Sequence, residues 1–172
     1  MYDPTTLQSG DVLLMIGRPQ LDLGGALDAG IEWATDSPFD HAALVGDGVL
    51  LEQLWTVTQS PLDKYAANGW RFQVRGVASY DADKAIAFVT ARLGQTYGVK
   101  DILADAARDI LHLPLWPANS PRAKQRYTCS ALVTAAWASA GVMLTYAPWP
   151  SPADLSFSAL LVGPRPWGAG AA

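Results

Sequence analysis

The chain contains one cysteine and two histidines, so a thiol nucleophile with a histidine base can be formed in only two ways. Cys129 follows Thr128 in an alanine-rich stretch that predicts a helix from Thr128 to Ala140. At a helix N-terminus, free backbone N–H groups and the helix dipole stabilise a thiolate, and the same N–H groups can bind an oxyanion. Cys129 is therefore a candidate nucleophile, and a cysteine buried in the core is the alternative.

A base and an acid for this cysteine occur in a predicted β-hairpin. His41 begins the strand His41 to Val45, and Glu52 lies in the strand Val49 to Trp55. The turn signal Gly46-Asp47-Gly48 between them places His41 and Glu52 at similar depths, where a carboxylate can orient an imidazole. The alternative is that Glu52 faces solvent, although a lone acid in so apolar a strand would need a partner if buried.

The other candidate chemistries are weaker. The second histidine, His112, lies in an apolar helix end before Pro114 and is predicted to be structural. With one cysteine and two histidines, a Cys/His zinc site is nearly excluded, so we expect no metal, and thiol hydrolysis needs no cofactor. The net charge of −4 argues against nucleic acid as a partner, because phosphate binding requires a basic surface.

The elements that must position these residues indicate an α+β domain, with a small, mostly antiparallel sheet packed against helices. Further strands are predicted at Asp11 to Ile16 and Trp70 to Val77. Further helices are predicted at Leu21 to Trp33, Pro61 to Ala67, Asp81 to Leu93 and Val99 to Leu113. We expect a single domain over residues 1–163 and a loose tail over residues 164–172, which are rich in glycine, proline and alanine.

The order of six short segments along the chain is the basis of a family resemblance. They are Gly10-Asp11-Val12-Leu13-Leu14, Phe39-Asp40-His41-Ala42-Ala43-Leu44-Val45, the strand of Glu52, Leu93-Gly94-Gln95-Thr96-Tyr97, Tyr127-Thr128-Cys129-Ser130-Ala131-Leu132-Val133 and Ser151-Pro152-Ala153-Asp154-Leu155. This order resembles the permuted NlpC-like branch of papain-fold enzymes, which includes YiiX-like proteins and, more distantly, lecithin retinol acyltransferases. In that branch the histidine strand precedes the cysteine helix, as it does here.

The resemblance implies a permuted papain-like fold with Cys129 as nucleophile, His41 as base and Glu52 as the third polar residue. It also implies three neighbours of the substrate cleft, namely Tyr97, Tyr127 and Ser130. Relatives often carry an acidic residue two places after the cysteine, where this chain has Ala131.

These features predict a cysteine-dependent hydrolase that cleaves an amide bond through a thioacyl-enzyme intermediate. The resemblance implies a peptide or acyl-amide substrate, and it favours a peptidase or amidase acting on peptidoglycan-type peptides. One alternative is a non-catalytic structural or assembly module, with the apolar stretch 99–117 as the surface for a partner. Another is a thiol acyltransferase or lipase acting on lipid-like acyl substrates.

Two observations concern the membrane and the compartment. No stretch of about 18 or more apolar residues lacks charges or breakers, so no transmembrane segment is predicted. The residues Met1-Tyr2-Asp3-Pro4 show no secretory signal, so we expect synthesis in the cytoplasm. Delivery by a phage particle or a secretion system would be compatible with a cell-wall substrate.

Overall fold

The computed structural model describes residues 6–16, 37–77, 81–96, 128–148 and 150–165. In these ranges the chain is a mixed α+β fold with a six-stranded antiparallel sheet, which confirms the predicted class. The strands are β1 (Val12–Ile16), β2 (Phe39–Val45), β3 (Val49–Gln53), β4 (Val57–Pro61), β5 (Arg71–Val77) and β6 (Leu161–Arg165). The helices are α1 (Lys64–Ala67), α2 (Ala82–Thr90), α3 (Cys129–Ser139) and α4 (Pro152–Ser156).

The strand order across the sheet is β4-β3-β2-β1-β5-β6. The central strand β1 is an apolar run in which Val12, Leu13, Leu14 and Met15 are all fully buried. A continuous apolar run is typical of a strand that is covered on both faces. The hairpin predicted around His41 and Glu52 is present as β2 and β3.

One face of the sheet packs against helices, and we call its apolar cluster the helix-side core. Its buried side chains include Val12, Leu14, Ala42, Leu44 and Leu51 from the strands and Ala85, Val89, Leu132, Val133, Ala136 and Trp137 from α2 and α3. Gly10 is part of this packing, because a Cβ there would lie 2.6 Å from the Cβ of Ala82 and 3.1 Å from the ring of Trp137. Gly10 also has a φ of 91°, which an L side chain disfavours. This glycine therefore lets α2 and α3 pack closely beside the start of β1.

The opposite face carries a smaller cluster, which we call the α1-side core. It contains Leu13, Met15, Ala43, Val45, Leu50 and Tyr65. Tyr65 comes from α1, the short helix that follows β4. Glu52 lies on the same face of β3 as Leu50, and its side chain is 0 % exposed. The sheet thus has an apolar face toward α3 and a face with a buried acid toward α1.

Two strands that the sequence did not predict form the two edges of the sheet. β4 ends at Pro61, where the sequence predicted that a helix begins, and the helix is confined to Lys64–Ala67. β6 ends at Arg165, two residues into the predicted loose tail, and residues 166–172 lie outside the described ranges. Both edge strands contain proline, which an edge tolerates because its N–H is not needed by a neighbouring strand.

Several predictions fall on residues that the structure does not describe. They are the helices Leu21 to Trp33 and Val99 to Leu113, the apolar stretch 99–117, Tyr97 and Tyr127. Among the described residues, no helix combines the length and the apolarity that crossing a membrane would require.

Candidate active site

Cys129 is the first residue of α3, which begins one residue later than predicted, so the cysteine lies at the helix N-terminus as expected. The helix begins here because Thr128 has an extended backbone and its side-chain oxygen accepts a hydrogen bond from the Ala131 N–H at 3.1 Å. The first N–H groups of a helix lack intrahelical acceptors, and Thr128 uses that of Ala131. The N–H groups of Cys129 and Ser130 are therefore the donors of the first turn that can serve a ligand beside the sulfur.

His41 lies in β2 beside an irregularity in the pairing with β1. Met15 pairs with His41, but Ile16 pairs with Phe39, so Asp40 is an extra residue on β2. A bulge of this kind bends the strand and changes the direction of adjacent side chains. The His41 side chain is 14 % exposed, and its ring contacts groups from both β3 and α3.

Glu52 holds one nitrogen of this ring. The Nε2 atom of His41 lies 2.9 Å from Oε2 of Glu52. The sequence predicted that the two residues lie at similar depths, but Glu52 pairs with Ala43, so His41 and Glu52 are diagonal neighbours. Diagonal pairs on one face remain within reach of long side chains. Because Nε2 faces Glu52, the nitrogen that remains for the thiol is Nδ1.

Lys64 and Tyr65, which sequence reasoning missed, both lie beside Glu52. The ammonium group of Lys64 donates to Oε1 of Glu52 at 2.6 Å and to the Ser60 hydroxyl at 3.3 Å. The hydroxyl of Tyr65 donates to Oε2 of Glu52, the oxygen that also faces His41. The isolated acid in β3 could have indicated such residues, because a buried carboxylate requires donors nearby. The chain supplies those donors on the next helix.

The electrostatics of Glu52 follow from these contacts. Burial alone would raise the pKa of the carboxyl, but the hydrogen bond and charge of His41, with the donors Lys64 and Ser60, lower it to about 2. Glu52 is therefore ionised at any ordinary pH. Burial and the Glu52 charge raise the pKa of the Tyr65 hydroxyl, so this group remains a hydrogen-bond donor.

Cys129 and His41 form a coupled pair. Burial opposes the charged form of each, but the charge of Cys129 and a hydrogen bond to it, together with Glu52, raise the pKa of His41 to about 10. The pKa of Cys129 is lowered despite its burial, because the His41 charge and hydrogen bond, a backbone hydrogen bond from Ala42 and the Ser130 hydroxyl favour the thiolate. The arrangement stabilises a thiolate–imidazolium ion pair.

Of the three predicted neighbours of the substrate cleft, the structure describes Ser130. Ser130 is only 1 % exposed, and its hydroxyl lies 3.9 Å from the sulfur of Cys129, so it faces the nucleophile from within the fold. The other two cleft candidates, Tyr97 and Tyr127, lie outside the described residues. In the described ranges, no three His, Cys, Asp or Glu side chains are grouped so that they could hold a metal ion.

Comparisons with known proteins add a fold relationship. No family model matches the sequence, and no curated protein matches it either. Among solved structures, the chain is similar to the metalloprotein YiiX of the DUF1105 group from Escherichia coli O157:H7. The match has a TM-score of 0.61 at 17% sequence identity and covers 90% of this chain and 94% of that chain. The chain therefore has a YiiX-like fold.

Proposed function

We propose that this protein is a cysteine-dependent hydrolase that cleaves amide bonds through a thioacyl-enzyme intermediate. The observation that supports this most is the contact of Cys129 at a helix N-terminus with His41, whose second nitrogen is held by the buried Glu52. A nucleophile, a base and a group that orients the base are the three parts that thiol catalysis requires. The charge and hydrogen bond of His41 lower the pKa of Cys129 in the absence of substrate, which supports an activated nucleophile in the resting protein.

The proposed reaction has two steps. The Cys129 thiolate attacks the carbonyl carbon, and the C–N bond breaks as the His41 imidazolium gives its proton to the leaving amine. Water then attacks the thioester, with His41 taking its proton, and the acid product leaves the regenerated thiolate. The N–H groups of Cys129 and Ser130 stabilise the oxyanion in both steps. Glu52 holds the imidazole in the required orientation throughout.

We further propose a permuted papain-like arrangement and a peptide substrate of the peptidoglycan type. Support comes from the sequence resemblance and from the chain order, in which the histidine strand β2 precedes the cysteine helix α3. Hydrolysis of lipid-like acyl esters or amides is the alternative for the same thiol chemistry, and a non-catalytic module is the alternative for the fold.

The structural neighbour is described as a metalloprotein, which makes the fit of a metal to this site a question of its side chains. The donors around Cys129 already have protein partners, since His41 uses Nε2 for Glu52 and Glu52 binds Lys64 and Tyr65. Among the described residues, no three His, Cys, Asp or Glu side chains are grouped so that they could hold a metal ion. They do not fit a resident metal, and the proposed steps use none.

A generic acyl donor tests the proposal before the natural substrate is known. We expect p-nitrophenyl acetate to produce a burst of nitrophenolate of about one equivalent per chain, with an acetyl group on Cys129 by intact-mass and peptide mapping. His41→Ala should lose the burst, whereas His112→Ala, which removes the other histidine, should retain it. Absence of a burst and of an adduct in the folded wild type would contradict the proposal and favour the non-catalytic module.

A substrate screen then separates the two substrate classes. We expect the wild type, but not Cys129→Ala, to release new amino groups from soluble peptidoglycan fragments, measured by amine labelling and mass spectrometry. Release of fatty acid from acyl esters, with no cleavage of the peptides, would overturn the peptide assignment and support the lipase alternative.

A further inference from the structure

We propose that Lys64 supplies the positive charge that allows Glu52 and the Cys129 thiolate to be ionised together, so that it controls the reactivity of the nucleophile without touching it. Lys64 is thus a positioning residue. The inference rests on the thiol chemistry proposed above and adds a residue that neither the sequence patterns nor the resemblance indicated.

The contacts form a chain of alternating charge. The Lys64 ammonium group lies 2.6 Å from Oε1 of Glu52, and Oε2 of Glu52 lies 2.9 Å from Nε2 of His41. His41 in turn interacts with the Cys129 sulfur through charge and hydrogen bonding. With all four groups ionised, the cluster contains two positive and two negative charges and is neutral.

Removal of the Lys64 charge leaves two anions, Glu52 and the Cys129 thiolate, around one imidazolium. A buried cluster with an uncompensated charge is costly because the protein interior screens charges poorly. Binding a proton removes the excess negative charge at the lowest cost in free energy. The proton binds to the anion of the weaker acid. A thiol is a weaker acid than a carboxyl, so Cys129 rather than Glu52 loses its charge first.

Other ionisable groups that face this cluster do not replace Lys64. Tyr65, also on α1, contributes a neutral hydroxyl to Oε2 of Glu52, since burial and the Glu52 charge keep its pKa raised. Asp40 on β2 acts on Tyr65 with a further negative charge. In the part of the chain that the structure describes, Glu52 forms ion pairs with His41 and Lys64.

The environment of Lys64 also differs from that of an ordinary surface ion pair. Its side chain is 29 % exposed, whereas that of its partner Glu52 is 0 % exposed. The ammonium group lies 4.9 Å from the centre of the Tyr65 ring, so an aromatic face covers one side of it. Lys84, by contrast, is 67 % exposed and lies 3.9 Å from an exposed Asp81, a pair of the kind that contributes little.

The test is the pH dependence of iodoacetamide alkylation of Cys129, which is independent of any substrate. For Lys64→Met we expect the apparent pKa of the thiol to rise by about one unit, so that alkylation below this pKa slows about tenfold. Lys64→Arg should retain the wild-type profile because it keeps the charge. Lys84→Met is the matched control, with the same substitution at an exposed lysine, and should also retain it.

A second variant guards against loss of folding. Lys64→Gln keeps an N–H donor for Glu52 and removes the charge, so we expect the same rise in the thiol pKa with less loss of stability, measured by thermal unfolding. An unchanged profile in folded Lys64→Gln or Lys64→Met would overturn the inference. The same result would leave the proposed function intact if the wild-type thiol is still activated by His41. An ordinary wild-type pKa that His41→Ala does not change would instead contradict the proposed function itself.

Discussion

The two faces of the sheet contribute to the candidate site in different ways. On the helix-side core, apolar side chains such as Trp137 and Leu132 hold α3 and thereby determine where Cys129 stands. On the other face, Lys64 and Tyr65 surround the buried Glu52 and determine the charge and orientation of His41. Packing therefore positions the nucleophile, and electrostatics activates it. Substitutions in the helix-side core should change mainly stability, and substitutions around Glu52 should change both stability and the protonation of the pair.

The largest expected effect is the loss of the nucleophile itself. Cys129→Ala should lower turnover of any substrate found by at least about 1000-fold, because removal of a nucleophile leaves only binding and oxyanion stabilisation. The variant should still fold with a cooperative thermal transition, since the helix-side core is unchanged. Turnover measured beside thermal unfolding checks both expectations, and equal turnover in the variant would end the assignment of Cys129.

The second largest expected effect is a loss of stability at acid pH, which depends on Glu52. The pKa of this carboxyl is about 2 in the folded protein and 4.5 ordinarily, so folding favours its ionised form. The resulting stability is fully present above about pH 4.5 and is lost as the pH falls toward about 2, a loss of about 3 kcal/mol.

Urea unfolding between pH 2 and 6 measures this loss of stability. Glu52→Gln has no carboxyl to titrate at this position, so its stability should fall less steeply over the same range. Parallel curves for the wild type and the variant would contradict the buried ion-pair cluster.

A substitution in the helix-side core should lower the stability of the fold. Gly10→Ala places a methyl group 2.6 Å from Ala82 and 3.1 Å from Trp137, at a φ of 91°. We expect a loss of about 2 kcal/mol or more in the free energy of unfolding. Gly48→Ala is the matched control, because Gly48 also has a positive φ, 75°, but open space around the added group. Chemical denaturation should therefore show the larger loss for Gly10→Ala.

The smallest expected effect is at Tyr65. Tyr65→Phe removes one neutral donor to Glu52 and keeps the ring, which lies 5.9 Å from the His41 ring and makes an edge contact with Trp70 at 5.2 Å. We expect a loss of about 1 kcal/mol in unfolding free energy and only a small change in the thiol pKa. A change in thiol pKa larger than that of Lys64→Met would show that hydrogen bonding, rather than charge, controls the pair.

The sequence was sufficient to predict the elements with strong patterns. The hairpin of β2 and β3 has a Gly-Asp-Gly turn between apolar runs, and α3 has a threonine cap before an alanine-rich stretch. These local signals also placed His41, Glu52 and Cys129 at the positions where the structure brings them together. Their agreement reflects the fact that turns and caps are determined by a few adjacent residues.

The missed features depend on tertiary structure. β4 and β6 are edge strands with prolines and few apolar residues, so their sequences resemble loops. The diagonal offset between His41 and Glu52 reflects strand register, which the turn signal alone did not determine. Lys64 and Tyr65 were not found because their role depends on how the short helix α1 packs over β3.

The proposed chemistry depends on an ion pair between Cys129 and His41 in the resting protein. The most direct test is the rate of iodoacetamide alkylation as a function of pH, in the wild type and in His41→Ala. We expect rapid labelling of the wild type with an apparent pKa well below about 8.5, and an increase in that pKa in His41→Ala. Slow labelling of both proteins that becomes rapid only in denaturant would contradict the ion pair and identify Cys129 as a structural thiol.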